Sequence, residues 1–135
     1  MAADHFMSCG LALPGEVGRL RREVAGYAEE LGAPEQVVDG VRVAVSEALS
    51  NAVLHAYAGR DPGIMIAEAW CDADDLLVRV CDEGHGLVPR VDSPGLGVGI
   101  SLMASMADDF SVANRDGTPG TIVSLRFSLP PTDTG

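Results

Sequence analysis

Four groups of residues in this chain carry chemistry by their type and spacing. Glu47 and Asn51 lie four residues apart in the stretch Val41 to Tyr57, which is apolar on most sides. On a helix that spacing puts both on one face, which His55 extends by another four residues. A helix apolar on most sides is usually buried, and buried helices avoid carboxylates and amides that lack partners. The stripe therefore either lines a pocket or is a solvated edge with a Glu–Asn contact. In a pocket, the Asn51 carbonyl oxygen would be a hard ligand for Mg²⁺. The Glu47 carboxylate one turn away could accept a proton from an attacking hydroxyl or water.

Asp82 stands where the apolar run Val78-Arg-Val-Cys-Asp82 stops, with Gly84 and Gly86 two and four residues on. A carboxylate there could accept a hydrogen bond from an amino group such as adenine N6, and the glycines would let backbone pass close to a flat base. The same letters also spell an ordinary Asp-x-Gly turn. Gly95, Gly97 and Gly99 alternate ahead of a predicted helix, where free N–H groups and the helix dipole favour a phosphate. The competing reading is a flexible connector with a helix cap. Gly120 and Thr121 open the last apolar run; taken alone they belong to a plain hairpin.

These groups need elements to hold them. Residues 5–12 read as a strand, and Pro14-Gly15 starts a helix to about Leu31. A second helix runs from about Glu35 to Ala58, with Pro34 suited to its first turn. Residues 64–71 and 76–82 read as strands joined by the acidic turn Asp72-Ala-Asp-Asp75. A Gly/Pro-rich loop covers 83–97, a third helix spans about Val98 to Ala107, and strands at 109–114 and 120–129 flank a final turn. The predicted fold is α+β: a two-layer α/β sandwich whose mixed, mainly antiparallel sheet is covered on one face by helices.

Composition narrows the function classes. The 135 residues fit one domain, 1–135, with 47% hydrophobic and only 4% aromatic residues, so Val, Leu, Ile and Ala must fill the core. No apolar run approaches the roughly 20 residues of a membrane helix, and no secretory leader is read at the start. Cys9, Cys71 and Cys81 match neither a disulfide framework nor a zinc site and are read as core or partly buried thiols. A reducing cytoplasm is the expected compartment. The net charge of −11 argues against nucleic-acid binding. All nine basic residues are arginine, so the lysine of a P-loop is missing. Any phosphate site must rely on backbone N–H groups and a metal ion, with an arginine as an optional addition.

Taken in order, Glu-x-x-x-Asn on a helix, Asp-x-Gly-x-Gly after a strand, Gly-x-Gly-x-Gly before a helix and Gly-Thr before a last strand resemble the GHKL (histidine-kinase-like) ATPase superfamily. The resemblance spans about Leu11 to Leu129. The stretch Ser46-Glu-Ala-Leu-Ser-Asn-Ala-Val-Leu-His-Ala-Tyr57 and the Leu13-Pro14 pair are similar to the anti-sigma-factor serine kinases.

That resemblance implies ATP and Mg²⁺ as cofactors, with Asn51 on the metal and Glu47 as general base. Asp82 would bind the adenine amino group, Gly84 and Gly86 would shape the base pocket, and Thr121 would contact the base side. Gly95, Gly97 and Gly99 would border the triphosphate within a lid. It further implies phosphorylation of a serine or threonine on an anti-anti-sigma antagonist, sequestration of a sigma factor, and homodimers. The lid departs from the family pattern. About eight residues, His85 to Asp92, precede Ser93-Pro94, and Arg90 is the one cation near the glycines, which makes it the candidate phosphate contact. A shorter, less basic lid bears on phosphate transfer more than on nucleotide binding. The alternative expectation is therefore a nucleotide-dependent protein-binding module without productive kinase activity.

Overall fold

A computed structural model of the chain describes residues 4–85, 103–115 and 117–130. The elements run β1 (His5–Leu11), α1 (Pro14–Glu30), α2 (Glu35–Asn51), a π-helical turn (Ala52–Ala56), β2 (Ile64–Asp72), β3 (Asp75–Asp82), β4 (Asp109–Asn114) and β5 (Thr121–Ser128). One further helical turn covers 103–106, inside the predicted third helix; the rest of that helix, 98–102, lies outside the described residues.

The strands form one five-stranded sheet in the order β1-β2-β3-β5-β4. Every pairing in it is antiparallel, so the mixed component of the predicted sheet is not found among the described strands. Alternation explains the two faces. Met65, Ala67 and Ala69 of β2, Leu76, Val78 and Val80 of β3, and Val123, Leu125 and Phe127 of β5 are all buried, while their sequence neighbours in each strand are less so. Period-two burial of this kind belongs to a sheet with one face on the core.

Both long helices cover that face. Buried positions of α1 (Leu20, Val24, Ala25, Tyr27, Ala28) and of α2 (Val38, Val41, Ala44, Val45, Ala48, Leu49) recur at helical spacing. Small residues on β2 let the helices approach, and Phe6 of β1 stacks on Tyr27 of α1 at 5.5 Å between ring centroids. Gly40 of α2 is buried for a related reason: a Cβ there would lie 3.2 Å from the Met106 carbonyl oxygen.

On the opposite face, Glu68 lies 3.3 Å from an Arg79 nitrogen and 3.1 Å from His5 Nε2. Arg79 also lies over the Trp70 ring, 5.2 Å from its centroid. Cys9 and Cys71 are exposed and Cys81 is half-buried. The expectation of core thiols is thus corrected for the first two. Cys9 points to the uncovered face of edge strand β1, and Cys71 sits at the end of β2 next to the turn.

Candidate functional site

Helix α2 begins directly after Pro34, whose extended conformation (φ −62°, ψ 155°) suits a helix entry. Glu47 and Asn51 lie on its last two turns, one turn apart and both half-buried. Neither side chain bonds to another described residue. The predicted continuation of α2 to Ala58 is corrected: the α-helix stops at Asn51 and a π-helical turn follows. The apolar letters run unbroken through Ala52-Val-Leu-His-Ala56, so no sequence signal marks the change of pitch. The regular i,i+4 stripe therefore ends at Asn51, and half-buried His55 falls on a wider turn.

The end of this helix is joined to the end of β3. A helix leaves its last carbonyls without intrahelical partners. Here the Ala56 carbonyl accepts the His85 N–H at 2.8 Å, and the Ala58 carbonyl lies 2.8 Å from His85 Nε2. Gly84 packs against the same point; a Cβ there would overlap the Ala56 carbonyl. The need for glycine at 84 thus has a local cause in the helix end. Tyr57, buried, has its hydroxyl between the two strands: it donates to the Ile64 carbonyl at 2.6 Å and accepts the Glu83 N–H at 2.8 Å.

Asp82, the last residue of β3, is 7% exposed and is the one buried charged side chain among the described residues. Its Oδ1 accepts the Gly84 N–H at 2.9 Å, and its carboxylate also accepts the Thr121 backbone N–H. The β3–β5 register makes the second bond possible, because it sets Asp82 opposite Thr121. Directly paired residues project to the same face, so both side chains sit at the helix-covered side. Gly120 has φ +138°, where L side chains rarely go, and a Cβ on it would overlap the Asp82 carbonyl. Burial pushes the Asp82 carboxyl above its ordinary value; the Gly84 and Thr121 N–H groups and the charges of Arg115 and Arg60 oppose that shift in part. Two of roughly four acceptor sites on the carboxylate are used by these N–H groups, leaving capacity for a further donor.

The structure therefore brings together Asp82, Gly84, Gly120 and Thr121, and places Asn51 at the start of the turn whose last residue touches Gly84. Gly86, Arg90, Gly95, Gly97 and Gly99 lie outside the described residues. Tyr57, Ala56 and the helix-capping role of His85 escaped sequence reasoning. A signal for Tyr57 exists in principle, since a tyrosine hydroxyl in a buried segment needs a partner. Nothing in the letters says that the partner is 26 residues away.

As a metal site, the donor set is specific. No group of three or more His, Cys, Asp or Glu side chains among the described residues could hold an ion. Mg²⁺ does not need such a cage, being held commonly by one or two protein oxygens together with substrate phosphates. A half-buried Asn51 oxygen fits that mode.

An antiparallel sheet backed on one face by helices, with a buried acceptor where its central strand ends, defines the class: a two-layer α/β sandwich. The chain belongs to the histidine kinase-like ATPase domain family, whose profile matches residues 11–127. Among curated proteins it is similar to the anti-sigma F factor of Clostridium acetobutylicum, at 32% identity over 122 residues covering 81% of this chain and 84% of that protein. It is similar also to the serine-protein kinase RsbW of Bacillus licheniformis, at 29% identity over 141 residues covering 93% and 87%. Among solved structures, that of the RsbU and RsbW domains of a Mycobacterium tuberculosis protein superposes with a TM-score of 0.73 at 20% identity. The match covers 96% of this chain, which spans 34% of that longer one, and it establishes the shared fold.

Proposed function

We propose that this protein is an ATP-dependent serine/threonine kinase of the anti-sigma type, acting on an anti-anti-sigma antagonist and sequestering a sigma factor. The observation that carries the nucleotide half is Asp82: a carboxylate 7% exposed, fixed by two backbone N–H groups, with acceptor capacity left. The adenine amino group supplies the missing donor. The partner half rests on similarity to an anti-sigma F factor and to an RsbW serine kinase over most of the length of each.

The residue roles are those that the family resemblance implies, and the described positions of Asp82, Thr121, Asn51 and Glu47 support them. Asp82 accepts the base N6–H, and Thr121 borders the base through its hydroxyl or a water. Gly84 and Gly86 shape the base side; Gly95, Gly97 and Gly99 border the triphosphate, and Arg90 contacts it. Asn51 offers its side-chain oxygen to Mg²⁺, which when bound neutralises phosphate charge. Glu47, one turn earlier on the same face, takes the proton from the antagonist's serine or threonine hydroxyl. That oxygen bonds to the γ-phosphorus, the bond from the γ-phosphorus to the β–γ bridging oxygen breaks, and ADP leaves. Residues 1–135 act as one catalytic domain, with homodimers as the working state. The compartment is the cytoplasm, where ATP and sigma factors meet. None of the described helices is long and apolar enough to cross a membrane.

The test is transfer of γ-labelled phosphate from Mg·ATP to antagonist proteins encoded near this chain's gene, with sigma-factor capture measured in parallel. Label on a serine or threonine of the antagonist, together with ATP-dependent capture of a sigma factor, is expected. Capture without label across all candidates would leave a binding module in place of a kinase.

A further inference from the structure

Tyr57 occupies a place that the strand ladder leaves open. The β2–β3 pairing ends at Met65 opposite Asp82. The next rung would join Ile64 to Glu83; instead the Tyr57 hydroxyl stands between them, donating to one backbone and accepting from the other. A single side-chain oxygen thus lengthens the ladder by one step while letting β3 turn away toward Gly84. The neighbourhood is built around this ring. A Cβ on Gly63 would overlap it, and the Arg60 guanidinium lies 5.6 Å from its centroid. Burial raises the phenol's pKa above its ordinary value, so the hydroxyl keeps the proton it donates.

We propose that Tyr57 is a positioning residue for base selection. By fixing the residue directly after Asp82, it sets the direction of the Asp82 carboxylate and so the preference for a base that presents an amino group there over one that presents a carbonyl. Adenine offers N6–H₂ at that edge; guanine offers O6, an acceptor that meets the carboxylate without a hydrogen bond. The inference rests on the reading of Asp82 as the base acceptor.

The experiment measures Kd for Mg·ATP and Mg·GTP on the purified chain and on Tyr57→Phe, Asp82→Asn and Val24→Ala. Tyr57→Phe is expected to weaken ATP roughly fivefold, the usual net worth of one hydrogen bond, and to leave GTP unchanged, so that the discrimination ratio narrows by the same factor. Exchange of the Glu83 amide hydrogen should accelerate in that variant. Val24→Ala, a core truncation on α1 remote from the site, lowers stability without moving the ratio. An ATP-to-GTP ratio in Tyr57→Phe equal to the parent's would overturn the inference while Asp82→Asn remains weakened. Parent-like ATP binding by Asp82→Asn would instead overturn the reading on which it rests. If Tyr57→Phe does not fold, Gly63→Ala displaces the same ring and is expected to narrow the ratio in the same direction; an unchanged ratio there counts equally against the role.

Discussion

The two halves of the candidate site are built in opposite ways. At the end of β3, Asp82 is buried, takes two backbone N–H groups and is bounded by glycines that a side chain could not replace. On α2, Glu47 and Asn51 are half-buried, and nothing among the described residues holds their side chains. Among the described residues, one half is held by its own backbone and the other carries side chains that bond to no other described residue, an arrangement that suits the two proposed roles. A recognition wall gains from rigidity, because orientation fixed in advance is not lost on binding. Groups proposed to meet a metal ion, a phosphate and a partner's hydroxyl gain from room and freedom to close on them. The contrast predicts that damage at Glu47 shows in chemistry and damage at the Asp82 end shows in binding.

The largest effect is expected on the open half. Glu47→Ala should lower the phosphate-transfer rate about 10²–10⁴-fold, with ATP affinity close to the parent's. Single-turnover transfer and nucleotide titration on the same preparation would check this. A matching loss of affinity would erase the distinction between the halves.

Damage to the rigid half should appear first in binding. Gly84→Ala drives a Cβ into the Ala56 carbonyl, and overpacking of this kind destabilises by about 1–3 kcal/mol. Thermal unfolding should register that loss, and ATP binding should fall with it because the Asp82 loop moves. Asp82→Asn is milder in shape and sharper in chemistry. It should weaken ATP by the roughly 1.5–3 kcal/mol of a charge-assisted hydrogen bond.

The pH dependence of that variant has a definite sign. The folded Asp82 carboxyl binds its proton more tightly than the unfolded one, because burial raises its pKa. Its contribution to stability is therefore lost as pH rises from the ordinary carboxyl value through the raised one. Without nucleotide, Asp82→Asn should gain stability relative to the parent across that window, read as the difference in unfolding midpoints at acid and neutral pH. A difference that does not change with pH would mean that burial imposes no penalty on the ionised form.

The smallest effect tests a position outside both halves. Ala73, in the β2–β3 turn, has φ +55°, which disfavours residues with a Cβ. Ala73→Gly should stabilise the fold by roughly 0.5–1 kcal/mol and leave ATP affinity unchanged.

The sequence was informative where the physics is local. Alternation in Ile64–Asp72 and Asp75–Asp82 marks two strands because one face of each is buried, and the chemistry of Asp82 and Asn51 follows from residue type. What stayed hidden depends on contacts between distant segments. The α-helix stops at Asn51 and widens into a turn whose end is met by His85 at the Ala56 and Ala58 carbonyls, a partner that only the folded chain supplies. Gly84 reads as room for a base, and nothing in the letters shows that the missing side chain also makes room for the Ala56 carbonyl. Tyr57 looks like one more apolar residue until its hydroxyl is seen bridging Ile64 and Glu83.

The central claim is that Asp82 and Asn51 serve one nucleotide site. It is tested most directly by calorimetric titration of the parent, Asp82→Asn and Asn51→Ala with ATP, each with and without Mg²⁺. Saturable binding by the parent that strengthens with Mg²⁺ is expected, with weakening in Asp82→Asn under both conditions and loss of the Mg²⁺ dependence alone in Asn51→Ala. A folded parent that takes up no ATP at millimolar concentration, or variants that match it under every condition, would contradict the claim.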